Sequence, residues 1–361
     1  MLKLFQRRPD LRAAFRALER QGVSPELAER LAELFARAHA RDLAHVNPRL
    51  IGEWLGLEER ATLRLLLAAL YAGVVDLHWD VRCPMCGSTN HRGGNLSGLH
   101  HTETCDFCQV RFAARLDEEV RVSFSLAERL RPRAAVADEA HRAAVDERLG
   151  ATPGHALLLL PEFQRLFPQQ RLLPDESLDV TRAALLFTDL AGSTAIYARR
   201  GDPRAYHLVR LHFDELFRVA DEQQGLMVKT IGDAVMAAFA EPAAALGAAL
   251  AMQSAVAMLN ERAGLGEDER LILKVGLHSG PCLSVTLNER PDYFGTTVNI
   301  AARVQGLAHG GDIVLTEAVR ADLAASTLLD GRSLESVSVR LKGIDEPVVV
   351  HRLDVLPAGA P

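Results

Sequence analysis

The chain has 361 residues, 48% hydrophobic and 24% charged, which fits two or three domains with ordinary cores and excludes wholesale disorder. A formal charge of −6 at pH 7 argues against a protein that coats nucleic acid along its whole surface. Four of the five cysteines form a compact cluster, which points to metal before disulfides in a reducing compartment.

Residues 1–80 read as a helical, winged-helix-like domain. Leu4, Leu11, Phe15 and Leu18 repeat at helical spacing, with Arg7, Arg8, Arg12, Arg16 and Arg20 on or near the opposite face. Packing of that apolar face on protein is preferred over contact with a membrane surface. The opening "MLKLFQRRPDL" lacks an apolar signal core, so the expected location is cytoplasmic. No stretch reads as membrane-spanning: the run at 243–259 contains Gln253 and Ser254 and falls short of about 20 residues. Asn47-Pro48 marks a helix start, Gly56 breaks that helix, and a second runs from Glu58 to Tyr71. "VVDLHWDV" follows as a strand. Helix–turn–helix–strand resembles a winged helix. Glu58, Glu59, Arg60 and Arg64 balance in charge, so a protein or regulatory ligand is the expected partner rather than nucleic acid.

Residues 81–116 read as a zinc ribbon. "CPMC" supplies Cys83 and Cys86, and "CDFC" supplies Cys105 and Cys108, with ribbon spacing between them. Four thiolates close a tetrahedral structural Zn²⁺ site, and a redox dithiol or another metal is the alternative. His91, His100 and His101 are left as surface residues. Residues 117–176 read as a helical linker or coupling region, with "GATPG" at 150–154 as a linker.

Residues 177–356 alternate strands and helices irregularly, with hairpins. That pattern predicts an α+β fold with helices packed on a mainly antiparallel sheet. "AALLFTDL" is a buried strand ending at Asp189, and "KTIGDAV" is a hairpin turning at Gly232-Asp233. Each feature alone has an ordinary explanation: an Asp caps a helix, and Gly-Asp makes a turn. Together, Asp189 and Asp233 are two carboxylates at strand ends that would repel unless divalent cations, Mg²⁺ or Mn²⁺, lay between them. The following "LAGST" opens a helix whose free N–H groups at Gly192, Ser193 and Thr194 suit a polyphosphate. Only four of the 41 basic residues are lysines, which marks Lys229 and Lys342 as candidate site residues.

"FTDLAGST", "KTIGDAVMAAF", "GLHSGP", "DYFGTTVNIAARV" and "LKG" occur in the order found in class III nucleotidyl cyclases, and the resemblance covers about half the chain. The resemblance implies that Asp189, Asp233 and the carbonyl of Leu190 bind two Mg²⁺ or Mn²⁺ per site. It implies that Lys229 and Asp292 read the purine edge. Lysine and aspartate there resemble adenylate cyclases; guanylate cyclases are expected to carry glutamate and cysteine. Asn299 matches the ribose-orienting residue, Arg303 the one that steadies the α-phosphate, and Lys342 the one that grips the terminal phosphates. It also implies a head-to-tail homodimer, with each site shared between two chains and ATP as substrate. A non-catalytic nucleotide-sensing regulator and a guanylate cyclase are the alternatives. The sequence departs from the family at "GST" after Asp189, and at "CLSVTLNERP", where a glycine-rich stretch is usual.

Overall fold

The structure, a computed structural model, describes residues 11–132, 138–192 and 202–355. Contacts divide the chain into two compact units: Met1–Leu178 with Asn288–Arg290, and Asp179–Leu287 with Pro291–Pro361.

In the first unit, Asn47 caps the helix Pro48–Leu55 by accepting from the Arg49 N–H at 2.9 Å, with Pro48 in the first turn. Gly56 ends that helix in the left-handed region, at φ 65°. The helix Glu59–Tyr71 follows, and then strand β1, Val75–Arg82. β1 is central in a three-stranded sheet, between β2 (Thr89–His91) and β5 (Val120–Leu126). Its antiparallel register with β5 runs from Val75 opposite Leu126 to Val81 opposite Val120. The cysteine ribbon, including the paired strands β3 (Thr102–Thr104) and β4 (Arg111–Ala113), is inserted between them. Trp79 of β1 is fully buried, edge-on to Phe163, and its indole N–H donates to Gln170.

The segment expected to be a helical linker over 117–176 opens with β5. "VRVSFSL" carries the β-branched and aromatic residues of a strand, and six of its seven positions are buried. The charged residues that follow had suggested helix, and only Glu139–Leu149 bears that out at length. "GATPG" is packed as well: the Val122 N–H donates to the Thr152 carbonyl at 3.0 Å, and a Cβ at Gly154 would meet Val120 and Trp79.

The second unit is an α+β domain. Its strands run β12-β13-β11-β9-β6-β8-β7, with β10 on β9. They are β6 (Ser177–Leu190), β7 (Leu226–Ile231), β8 (Ala234–Phe239), β9 (Leu273–Leu287), β10 (Arg290–Phe294), β11 (Asp312–Thr316), β12 (Glu335–Val339) and β13 (Val348–Asp354). β11 runs parallel to β9, while β6 with β8, β7 with β8, β11 with β13 and β12 with β13 are antiparallel. The helix Pro242–Arg262 packs on this sheet through Leu246, Ala249, Met252, Val256 and Leu259. It is the one described helix long and apolar enough to cross a membrane. Gln253 on it donates to the carbonyls of Leu273 and Asp312, and Asn260 exchanges two hydrogen bonds with the backbone of Leu271. Those buried amides tie the helix to the starts of β9 and β11.

The helix Thr296–Gln305 lies on β9 at close range. A Cβ at Gly276 would stand 2.2 Å from the Gln305 backbone nitrogen, and one at Gly280 would stand 2.9 Å from Thr297 Oγ1. The two glycines of "GLHSG" are therefore the seat of that helix.

Candidate active site and cysteine centre

β6 and β8 set the first group. Their register places Thr188 opposite Val235, so Asp189 falls one step beyond, beside the β7–β8 turn. That turn has two residues, between the paired Ile231 and Ala234. Gly232 takes the positive φ, 64°, and Asp233 follows it. Burial, and then the charge of Asp233, raise the Asp189 carboxyl above the usual carboxylate range; Lys274 acts against them. Asp233 Oδ2 is buried and has no hydrogen-bond partner among the described residues. Two carboxylates close enough for one to raise the other, one of them with an orphaned oxygen, form a donor set that fits a hard divalent cation. Leu190, whose carbonyl belongs to the expected set, is buried at the strand end.

Lys229 goes elsewhere. A bulge breaks the β7–β8 ladder between Met227 and Lys229. The ammonium donates to Asp292 Oδ2 at 2.5 Å. Asp292 lies on β10, is 7% exposed, and accepts from the Tyr293 N–H at 2.8 Å through its other oxygen. The unusual "CLSVTLNERP" builds the long hairpin of β9 and β10, turning at Asn288 and Glu289, both at positive φ. It thereby puts Asp292 within reach of β7.

Asn299 and Arg303 lie one turn apart on the helix Thr296–Gln305, and Arg303 Nη1 donates to the Asn299 carbonyl at 3.1 Å. Asn299 is exposed, as is Lys342, which precedes Gly343 at φ 74°. A Cβ at Gly343 would stand 3.7 Å from Arg303 Nη2, so Arg303 is beside the Lys342–Gly343 turn. Gly192 adopts φ 69°, and a Cβ there would meet none of the described residues within 4 Å; Ser193 and Thr194 lie outside the described residues.

Sequence reasoning passed over Lys274, whose Nζ is 3.9 Å from Asp189 Oδ2. The signal was present, since it is one of the four lysines. His212 was also passed over. It is fully buried, and desolvation lowers it to about 4, which keeps the ring neutral near Asp233.

The four cysteines come together as expected. All four sulfurs lie within 4.8 Å of one another, with Cys83–Cys108 at 3.7 Å and Cys86–Cys105 at 3.6 Å. Sulfurs on a tetrahedral zinc at about 2.3 Å are about 3.8 Å apart, so the set fits Zn²⁺. The two knuckles repeat one backbone pattern. The residue after each pair, Gly87 or Gln109, is left-handed and donates its N–H to the carbonyl of the first cysteine, Cys83 or Cys105. The N–H of that first cysteine donates to Ser88 or Val110. Ser88 Oγ also stands 3.0 Å from Cys86 Sγ and 3.1 Å from Cys105 Sγ, and it draws the Cys105 thiol down to about 6.

Residues 176–351 match the family described as "Adenylate and Guanylate cyclase catalytic domain", and residues 9–147 match a family described only as one of unknown function. An adenylate cyclase of Anabaena cylindrica is 28% identical over 184 residues, covering 48% of this chain and 36% of that protein. A receptor-type adenylate cyclase, GRESAG 4.1, of Trypanosoma brucei brucei is 28% identical over 214 residues, covering 48% of this chain and 17% of that protein. The chain thus spans well under two thirds of these relatives. The crystal structure of the adenylyl cyclase CyaB from P. aeruginosa is similar at 21% identity and a TM-score of 0.44, covering 49% of this chain and 95% of that one.

Proposed function

We propose that residues 176–351, which match the cyclase catalytic family and lie almost wholly in the second unit, convert ATP to 3′,5′-cyclic AMP and pyrophosphate at sites shared across a homodimer. The observation that carries this reading is the separation of two charges four residues apart. Lys229 pairs with Asp292, whereas Asp233 faces Asp189 with an oxygen left over. One hairpin thus serves two groups of different chemistry, as a site shared between two chains requires.

Asp189, Asp233 and the Leu190 carbonyl would hold two Mg²⁺ or Mn²⁺, which when bound supply Lewis-acid charge and lower the pKa of the ribose 3′-hydroxyl. Lys229 donates to adenine N1, and Asp292 accepts from the 6-amino group. Asn299 orients the ribose. The 3′-hydroxyl gives its proton to water, its oxygen forms a bond to the α-phosphorus as the bond to the bridging oxygen breaks, and pyrophosphate leaves. Arg303 offsets charge at the α-phosphate, and Lys342 holds the departing phosphates. No side chain is needed as nucleophile; the contribution is positioning and charge. The cysteine centre is proposed as a closed, structural Zn²⁺ site, and the first unit as a cytoplasmic regulatory module that receives a protein or ligand.

The test incubates the full chain with ATP or GTP and Mg²⁺ or Mn²⁺, and measures cyclic nucleotide and pyrophosphate. Asp189→Asn and Asn299→Ala are each expected to be inactive alone and to recover partial activity when mixed. ATP binding with no product under any condition would move the reading to a nucleotide-sensing regulator. Lys229→Glu with Asp292→Cys is expected to shift the ATP-to-GTP preference by about 100-fold toward GTP. An unchanged preference would sink the base-reading assignment.

A further inference from the structure

A second cluster of metal-ligating side chains lies in the first unit, separate from the cysteines. One ring nitrogen each of His45 and His91 and an Asp80 carboxylate oxygen all lie within 4.8 Å of one another. Asp80 is central on β1, 1% exposed, with His91 opposite it on β2. Ser123 of β5 donates to Asp80 Oδ2 at 2.6 Å and stands 3.3 Å from His45 Nδ1. His45 Nδ1 is 3.4 Å from that oxygen, too long for a good hydrogen bond. Bonds of 2.0–2.1 Å to a tetrahedral ion place ligand atoms about 3.3 Å apart, and His45 Nδ1 stands at about that distance from Asp80 Oδ2 and Ser123 Oγ. His91 Nδ1 sits closer, 2.6 Å from Asp80 Oδ1, and its half-exposed ring has room to withdraw. Behind it, Glu139 lies 3.5 Å from His91 Nε2, beyond a good hydrogen bond and near enough to tighten onto a ligating imidazole. Arg142 donates to Asp80 Oδ2 at 2.8 Å and to Glu139 at 2.9 Å, which holds the carboxylate in place. His45 and Asp80 also line a small cavity with Ser123 and Arg142, and His91 lies outside that lining.

We propose that His45, Asp80 and His91 form a second Zn²⁺-class site with an exchangeable fourth position, chemically distinct from the closed cysteine centre. Two imidazoles and one carboxylate suit a borderline dication better than Mg²⁺ or Ca²⁺.

The test uses the full chain carrying Asp189→Asn, so that the acidic pair does not enter the count. Metal-stripped protein is titrated with Co²⁺ and Zn²⁺ in excess Mg²⁺, following bound metal and the visible spectrum. Two ions per chain are expected, one with a thiolate charge-transfer band and one without it. His91→Ala is expected to lose the second ion and keep the thiolate band. Glu139→Gln is expected to weaken the second ion by about 10-fold. A circular dichroism spectrum matching the parent separates loss of the site from loss of the fold. One ion per chain, or a second ion that survives both His91→Ala and His45→Ala, would overturn the proposal.

Discussion

The cysteine centre and the Asp189–Asp233 pair both gather groups of one kind, by opposite means. The cysteines come from two knuckles that each impose their geometry locally, through the same left-handed residue and the same two backbone hydrogen bonds. The aspartates come from a strand end and a hairpin turn, more than forty positions apart, and meet only because β6 and β8 pair in one register. A site of the first kind is encoded by spacing. A site of the second kind is encoded by a whole sheet, and it tolerates disturbance of that sheet poorly.

The sharpest break in this comparison is chemical. Asp233→Asn is expected to lower cyclase turnover by at least about 10³-fold while bound zinc is unchanged; metal content and product assays on the same sample read both. Next comes backbone spacing. Gly276→Ala drives a methyl into the Gln305 backbone, and it should cost about 3 kcal/mol in denaturant unfolding of the second unit. Unfolding of the ribbon, followed by release of the zinc proposed there, should not move.

The third test uses pH. Burial and Asp233 raise the Asp189 carboxyl in the fold, so its contribution is favourable when protonated and is lost as pH rises through the folded value. Without divalent ions, Asp189→Asn should therefore melt a few degrees above the wild type at neutral pH. The gap should narrow as pH falls into the carboxylate range, and Mn²⁺ should raise the melting temperature of the wild type only. Melting curves across pH that show no gap would remove the repulsion argument. The smallest effect concerns the knuckles. Gln109 holds a left-handed φ of 60° that Gly87 holds in the other knuckle without strain. Gln109→Gly should stabilise the ribbon by roughly 0.5–1 kcal/mol.

Legibility followed the same divide. The cysteine spacing, the capped helix at Asn47-Pro48 and the two-residue turn at Gly232-Asp233 were all readable, because each is decided within a few residues. β5 was missed because the charged stretch after it dominates a helical reading, whereas its strand character is fixed by pairing with β1 across the ribbon. Lys229 and Asp292 were recognisable by resemblance, but their direct contact was not, since it depends on how far the β9–β10 hairpin extends. The His45–Asp80–His91 cluster was invisible, because its members come from three separate elements and carry no spacing signature.

β9 acts as a ruler with three graduations. Lys274 near its start marks Asp189, Gly276 and Gly280 mark the seat of the helix bearing Asn299 and Arg303, and its far end turns into the hairpin bearing Asp292. One strand thereby calibrates residues of both half-sites in the same chain. In the proposed shared-site dimer, a defect confined to one half-site is expected to be rescued by a partner that supplies the other half. A tilt in β9 damages both halves at once, so such a variant should complement neither an aspartate mutant nor an asparagine mutant in mixing experiments.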